Sequence, residues 1–248
     1  MGNELTAFEG MISIRALIDA AKTSFNDRKI IKILYTNERK AKNAKEYAYL
    51  CHRAEEQGFE ILLSEKEELE KFASGKTHGG VLALAGSRGF PQIETLLPEK
   101  NGFYVMMEGV EDPFNFGYAL RSLYAAGVDG VILPGLSRTG ADGIICRSSA
   151  GASERLPIYM AQPENCLSHF KKHGYSVICA DLANSVPVYD AVLKKPLLLI
   201  VGGEKRGITR AVLDRCDAIV RLDYGRPFDE ALSAASILAF EVFRQNRS

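Results

Sequence analysis

Three stretches of this 248-residue chain combine residue types that could do chemistry. The first is EGVEDPFNFGYALRS, Glu108 to Ser122, where an apolar run ends in acids, Pro113 and Asn115, and Arg121 follows. A guanidinium is a fixed cation with a planar fork of donors, suited to clamping a phosphate, and an Asn amide both donates and accepts. The second is LLLIVGGEKRGIT, Leu197 to Thr209, where apolar residues stop at Gly202-Gly203 and Glu204 comes next. A strand that ends in glycines exposes backbone N–H and C=O groups to a flat ligand. The third is Asp223 to Ser233, just ahead of the last helical pattern. Each also has an ordinary reading, as an Asn-capped helix with a surface arginine or as a plain strand–turn–helix. GGEKRG lacks the spacing of G-x-G-x-x-G, and no G-x-x-x-x-G-K-[ST] occurs, which disfavours a nicotinamide enzyme and a P-loop NTPase.

Other reactive side chains are scattered. Cys51, Cys146, Cys166, Cys179 and Cys216 never fall in a C-x-x-C pair, so neither a disulfide framework nor a zinc knuckle is expected. His169 and His173 sit four apart, but HFKKH offers no neighbouring carboxylate, and no metal site is expected. Lys plus Arg and Asp plus Glu balance at 31 each, so any polyanion must be met by a local patch. The candidates are Arg28, Lys29 and Lys32, then Arg39, Lys40 and Lys42, and finally Lys205, Arg206 and Arg226. No apolar stretch reaches the roughly 18 residues a membrane span needs. The N-terminal MGNELTAFEG is acidic and lacks the apolar core of a secretory signal, so a cytoplasmic protein without a membrane partner is expected.

A scaffold must hold these residues, and hydrophobic periodicity outlines one. A helix is expected over Ser13–Lys22, a strand over Lys29–Thr36, and a helix over Asn43–Gly58 that closes on its glycine. Another strand leads to Ser64, which with Glu67 fits a capping box, and Thr77–Gly86 turns through two glycines into a further strand. These elements form a compact α/β unit over residues 1–86, followed by a proline-bearing linker over 87–101. From 102 to 248, apolar strands alternate with helices, which predicts a parallel sheet covered on both faces. Ligands of such sheets bind at the carboxyl ends of the strands, where all three stretches fall. Phe116, Leu120 and Leu123 make the apolar stripe of the helix that Asn115 would cap.

Taken in order, the motifs resemble those of the SpoU (TrmH-type) RNA ribose 2′-O-methyltransferases of the SPOUT superfamily. EDPFNFGYALRS carries Asn-x-Gly with Arg four residues after the glycine. RSSAGASERLPI is similar to the family's Ser-Ala-Gly-Ala stretch, and LLLIVGGEKRGIT to its Gly-x-Glu-x-x-Gly. THGGVLAL and the unit before it resemble an L30e-like RNA-binding domain. The resemblance implies an α/β protein: a C-terminal parallel-sheet SPOUT domain with a deep trefoil knot, preceded by a small L30e-like domain. It implies S-adenosylmethionine as cofactor and a homodimer whose active site draws on both subunits. The implied reaction is RNA 2′-O-ribose methylation, on 23S ribosomal RNA given the N-terminal domain, with transfer RNA as the other RNA class. Carried over by motif, Asn115, Arg121 and Glu204 take the catalytic positions, and Gly202, Leu222, Ala231 and Leu232 the cofactor-binding ones. The third motif departs from the family: GRPFDEALSAASI has no Asn, and either Glu230 or Ser233 stands at its position according to register. That departure supports an alternative, a non-catalytic RNA-binding or ribosome-assembly protein that keeps the fold.

Overall fold

The computed structural model describes residues 5–75, 78–109, 112–135, 140–203, 207–225 and 231–247, with the side chains of 231–233 set aside. The chain packs as two units, Met1–Gly89 with Thr139–Arg155, and Phe90–Arg138 with Leu156–Ser248.

The first unit runs β1 (Thr6–Glu9), α1 (Gly10–Ala20), β2 (Ile30–Thr36), α2 (Asn37–Lys42), α3 (Ala44–Gln57), β3 (Glu60–Ser64), α4 (Lys66–Glu70) and β4 (Val81–Ala85). Its sheet has the order β1-β4-β2-β3, with β2 and β3 parallel and the other pairs antiparallel. β4 is buried along its whole length, as VLALA would suggest, and Phe8, Ile14, Leu17, Ile33 and Leu50 join it in the core. Ser64 does not cap α4. It stays the last residue of β3, paired opposite Thr36, and Glu65 takes the N-cap position without a side-chain cap bond. The Ser64 hydroxyl is buried and has no partner among the described residues.

Two helices from later in the chain complete this unit, α6 (Asp142–Ser148) and α7 (Ala152–Arg155). Sequence patterning groups them with 102–248, whereas packing groups them with the first unit. A Cβ on Gly151 would come within 2.5 Å of the Ala16 Cβ, so α1 and the turn before α7 are in tight contact. Arg28 ties them electrostatically. It donates to Glu154 at 3.1 Å, to Asp142 at 2.7 Å and to the Gly86 carbonyl at 2.8 Å. Burial alone would lower its pKa, but Glu154 and Asp142 outweigh burial and hold it above the ordinary arginine value. Arg28 is 4% exposed, so it belongs to the interior and not to a basic RNA-facing cluster with Lys29 and Lys32.

The second unit contains β5 (Phe103–Met107), α5 (Pro113–Ala125), β6 (Gly130–Leu133), β7 (Ile158–Met160), α8 (Pro163–Lys172) and β8 (Ser176–Ala180). It continues with β9 (Val186–Pro187), β10 (Leu197–Val201), α9 (Arg210–Leu213), β11 (Ala218–Arg221) and α10 (Ala231–Asn246). The sheet order is β7-β6-β5-β10-β8-β11-β9, and every pair is parallel. β5 and β10 are buried at every residue, the pattern of strands covered on both faces. Phe170 of α8 and Val212 of α9 cover one face with Tyr104, Met106, Leu198 and Ile200. α10 packs on α5 and β10. Within the expected linker, Ile93 and Leu96 are buried in this core, and the Met160 amide donates to the Pro91 carbonyl at 2.8 Å.

Candidate active site

β10 lies between β5 and β8, and β11 lies beyond β8, so the carboxyl ends of these strands emerge side by side. Val201, Ala180 and Val220 are in register across the last three. Beyond them opens a cleft of about 260 Å³, bounded by Asp181, Leu182, Gly202, Gly203, Leu222 and Tyr224, with Ala234 and Leu238 of α10 as its wall. Gly202 and Leu222, expected from sequence, both line it. Ala231 and Leu232 open α10, ahead of Ala234, and their side chains lie outside the description. Glu204 lies outside the described residues, as do Lys205, Arg206, Arg226 and Glu230.

The glycine pair is needed for close backbone approach. A Cβ on Gly203 would come 2.4 Å from the Gly109 carbonyl oxygen, and one on Gly202 would come 3.0 Å from the Ile208 nitrogen. The Glu108 amide donates to the Val201 carbonyl at 2.9 Å, extending the β5–β10 ladder until the two loops meet. The Glu108 side chain is half-buried, and its Oε2 has no partner among the described residues. Burial, then the nearby Glu164 carboxylate, raises its pKa above the usual glutamate value.

α5 begins one turn earlier than expected. Asp112, not Asn115, is the N-cap, and its carboxylate accepts the Asn115 amide N–H at 2.8 Å. Pro113 explains this, since a proline preset for helical φ and lacking an N–H fits the first position after a cap. Asn115 therefore sits inside the first turn and is half-buried. Phe116, Leu120 and Leu123 are buried as the stripe predicts, and Arg121 is exposed. On an ideal helix Asn115 and Arg121 stand about 9 Å apart along the axis and roughly 120° apart around it. Neither lines the cleft. Arg121 instead shares a helix face with Phe114 and Tyr118, which are 53% and 58% exposed.

Sequence reasoning missed Asp181 and Leu182. Asp181 is the first polar residue after the buried run of β8, and its carboxylate accepts the Ala183 amide at 2.9 Å to turn the chain. Only the adjacency of β8 to β10 turns that end-of-strand signal into a site.

Residues 102–229 match the SpoU rRNA Methylase family, and residues 13–88 match the RNA 2′-O ribose methyltransferase substrate-binding family. A protein of Staphylococcus haemolyticus, assigned to the TrmH family of tRNA/rRNA methyltransferases, is 29% identical over 204 residues, which cover 79% of this chain and 82% of the relative. The 23S rRNA (guanosine-2′-O-)-methyltransferase of Shewanella oneidensis is 27% identical over 210 residues, covering 80% of this chain and 84% of its own. The fold is shared with an AdoMet-bound rRNA methyltransferase of Sinorhizobium meliloti, with a TM-score of 0.80 at 23% identity over 98% of this chain and 88% of that one. Among the described residues no helix is long and apolar enough to cross a membrane. Because the match at 102–229 takes in more than half of the chain, including the strand tips that carry the cleft, this protein belongs to the SpoU rRNA Methylase family.

Proposed function

We propose that the protein transfers the methyl group of S-adenosylmethionine to a ribose 2′-hydroxyl of RNA in the cytoplasm, with 23S ribosomal RNA as the substrate. The observation that carries this is the cleft at the carboxyl tips of β8, β10 and β11, bordered by the close-packed glycine turn at Gly202-Gly203. Val201, Leu222 and Leu238 supply apolar walls there, and the backbone at the strand tips supplies polar partners. The residues present thus suit a ligand with a flat heterocycle and polar substituents. Bound there, the cofactor supplies an activated methyl on a sulfonium. Gly202 and Leu222 would hold it, with Ala231 and Leu232 at the start of α10.

The remaining tasks are to place the ribose oxygen and favour loss of its proton. Arg121 is the phosphate clamp and polarises the hydroxyl electrostatically. A neutral guanidine acting as base is too costly, because arginine stays protonated in proteins. Asn115 orients the ribose, and Glu204 holds Arg121 or Asn115. Arg121 stands apart from the cleft of its own chain, which supports a homodimer whose site draws on both subunits. Phe240 and Phe243 of α10, 45% and 44% exposed, and Phe114 and Tyr118 of α5 supply an apolar face for that contact. In this reading 1–86 is the RNA-binding domain, 87–101 the linker and 102–248 the knotted methyltransferase domain. The match at 13–88 supports the first role, and the named activity of the Shewanella oneidensis relative supports the ribosomal target.

The test is incubation with tritium-labelled S-adenosylmethionine and ribosomal RNA, then digestion to nucleosides. Label in a 2′-O-methylnucleoside is expected. No label, together with no heat of cofactor binding by calorimetry, would sink the proposal. RNA binding without cofactor binding would favour the non-catalytic reading, which the missing Asn in the third motif supports.

A further inference from the structure

We propose that the first unit grips RNA by its phosphates at the turn between α2 and α3, reading backbone shape and offering no platform for stacked bases. This rests on the RNA-methyltransferase reading and specifies where and how its substrate is held. From Arg39 to Lys45 the chain reads RKAKNAK, with Arg39, Lys40, Lys42 and Lys45 and no acid. Two clefts open on this turn and share Lys42 and Asn43. The first, of about 270 Å³, is lined by Thr36, Arg39, Lys66, His78 and the Gly79-Gly80 loop. The second, of about 610 Å³, is bordered by Arg15, Lys45 and Tyr49.

Glu38 lines the first cleft and Glu46 the second, and both are engaged. Glu46 takes Arg39 at 2.7 Å and the Tyr35 hydroxyl at 2.8 Å, and Glu38 takes Lys42 at 2.6 Å. Lys45 has no ion-pair partner among the described residues. The loop over the first cleft is pressed against it. Gly79 and Gly80 have φ of 61° and 81°, and a Cβ on Gly80 would stand 2.6 Å from the Thr36 hydroxyl. His78 is a further donor. Its Nδ1 accepts the Gly80 amide at 3.1 Å, so the neutral ring carries its proton on Nε2, which is buried without a partner among the described residues. Lys66 lies 3.6 Å from Glu70, so the positive charge beyond these ion pairs comes from Lys40 and Lys45, and with the His78 donor it complements a phosphate backbone.

The aromatic rings here are covered by cations. Lys40 lies 4.4 Å from the centre of Tyr47, and Arg15 and Arg53 lie 5.6 and 5.4 Å from that of Tyr49. A base could stack on these rings only by displacing a cation held by the ring's negative face. The surface thus suits a folded RNA whose phosphates are fixed in space.

The experiment is fluorescence anisotropy with a labelled RNA stem-loop and an oligouridylate of equal length, across a salt series. Lys42→Ala, Lys45→Ala and Lys66→Ala are combined in one variant; the Lys42 and Lys66 side chains are 69% and 64% exposed, so the fold should tolerate their loss. We expect wild type to prefer the stem-loop, and the variant to lose about two to three from the slope of log affinity against log salt, at an unchanged unfolding temperature. Tyr47→Leu and Tyr49→Leu should each change affinity by less than about twofold, where loss of a stacked base costs about fivefold or more. An unchanged salt slope in the lysine variant, or wild type that binds neither RNA, would overturn the site. Tenfold loss in either tyrosine variant would overturn the shape-reading mode. If the lysine variant binds as wild type while wild type still methylates RNA, this proposal fails and the methyltransferase reading stands. RNA binding as expected without methyl transfer leaves the phosphate grip standing and removes the methyltransferase reading.

Discussion

The two ends of the parallel sheet are finished in opposite ways. At the amino ends, carboxylates take the first backbone donors: Asp129 accepts the Phe103 amide at 2.7 Å, and Asp217 accepts the Val177 amide at 2.7 Å and the Lys171 ammonium at 2.7 Å. Tyr104, Phe170 and Tyr175 pack there with ring centres 5.0 to 5.8 Å apart, and the Tyr175 hydroxyl donates to the Glu99 carbonyl. Burial pushes the Tyr104 hydroxyl up to about 12. At the carboxyl ends the side chains withdraw and the chain turns on Gly202 and Gly203, beside an open cleft. One end satisfies its own backbone and supports the fold. The other ends on glycines beside a cleft with apolar walls, which under the proposed function is where the cofactor sits.

This contrast is breakable by mutation. Phe170→Ala, at the closed end, should cost about 3–5 kcal/mol in chemical denaturation. The protein that remains folded should bind S-adenosylmethionine as wild type does; a shifted cofactor affinity would mean that the ends are not separable. Arg121→Ala, on α5 and apart from the cleft of its own chain, should lower methyl transfer about 10²–10³-fold at an unchanged unfolding temperature. Near-normal turnover would remove Arg121 from the mechanism. Gly203→Ala should cost about 1–3 kcal/mol and weaken cofactor binding, because the new methyl meets the Gly109 carbonyl. Calorimetry showing full affinity would mean that the turn relaxes without disturbing the cleft.

The smallest effect concerns Glu108. A carboxyl whose pKa is raised on folding weakens the fold as pH climbs from the unfolded value, about 4.3, through the folded one. Glu108→Gln removes that penalty. Unfolding temperature should therefore rise at neutral pH and stay unchanged near pH 3, where the carboxyl is protonated in both states. A loss of stability at neutral pH would mean that the ionised carboxylate is held by a favourable contact.

The second sheet is legible in sequence because its strands are buried on both faces. FYVMM and LLLIV are unbroken apolar runs, and the α5 stripe of Phe116, Leu120 and Leu123 is equally direct. Three other features depend on distant partners. β1 is four residues long and is defined by its pairing with β4, from Thr6 opposite Ala85 to Glu9 opposite Leu82. α6 and α7 lie in a glycine- and serine-rich stretch with weak periodicity, and contact with α1 decides their shape. Caps are decided by competition: Asp112 ahead of Pro113 displaces Asn115, and strand pairing keeps Ser64 from α4. Of the site, Gly202 and Leu222 are readable because glycines and strand ends mark themselves. Asp181 is not, because its place depends on which strand becomes the neighbour of β10.

The Arg28 cluster bears on how the chain is made. Arg28 leaves the ribosome 114 residues before Asp142 and 126 residues before Glu154. The N-terminal fold therefore waits, with its guanidinium uncompensated, while β5, α5 and β6 are synthesised. Domains ordinarily fold in the order in which they emerge. Here the element begun first is closed by sequence from inside its successor, so synthesis of the second unit is well under way before the first is finished. A polypeptide cut at Gly89 would lose both carboxylates that hold Arg28 together with the helices that carry them.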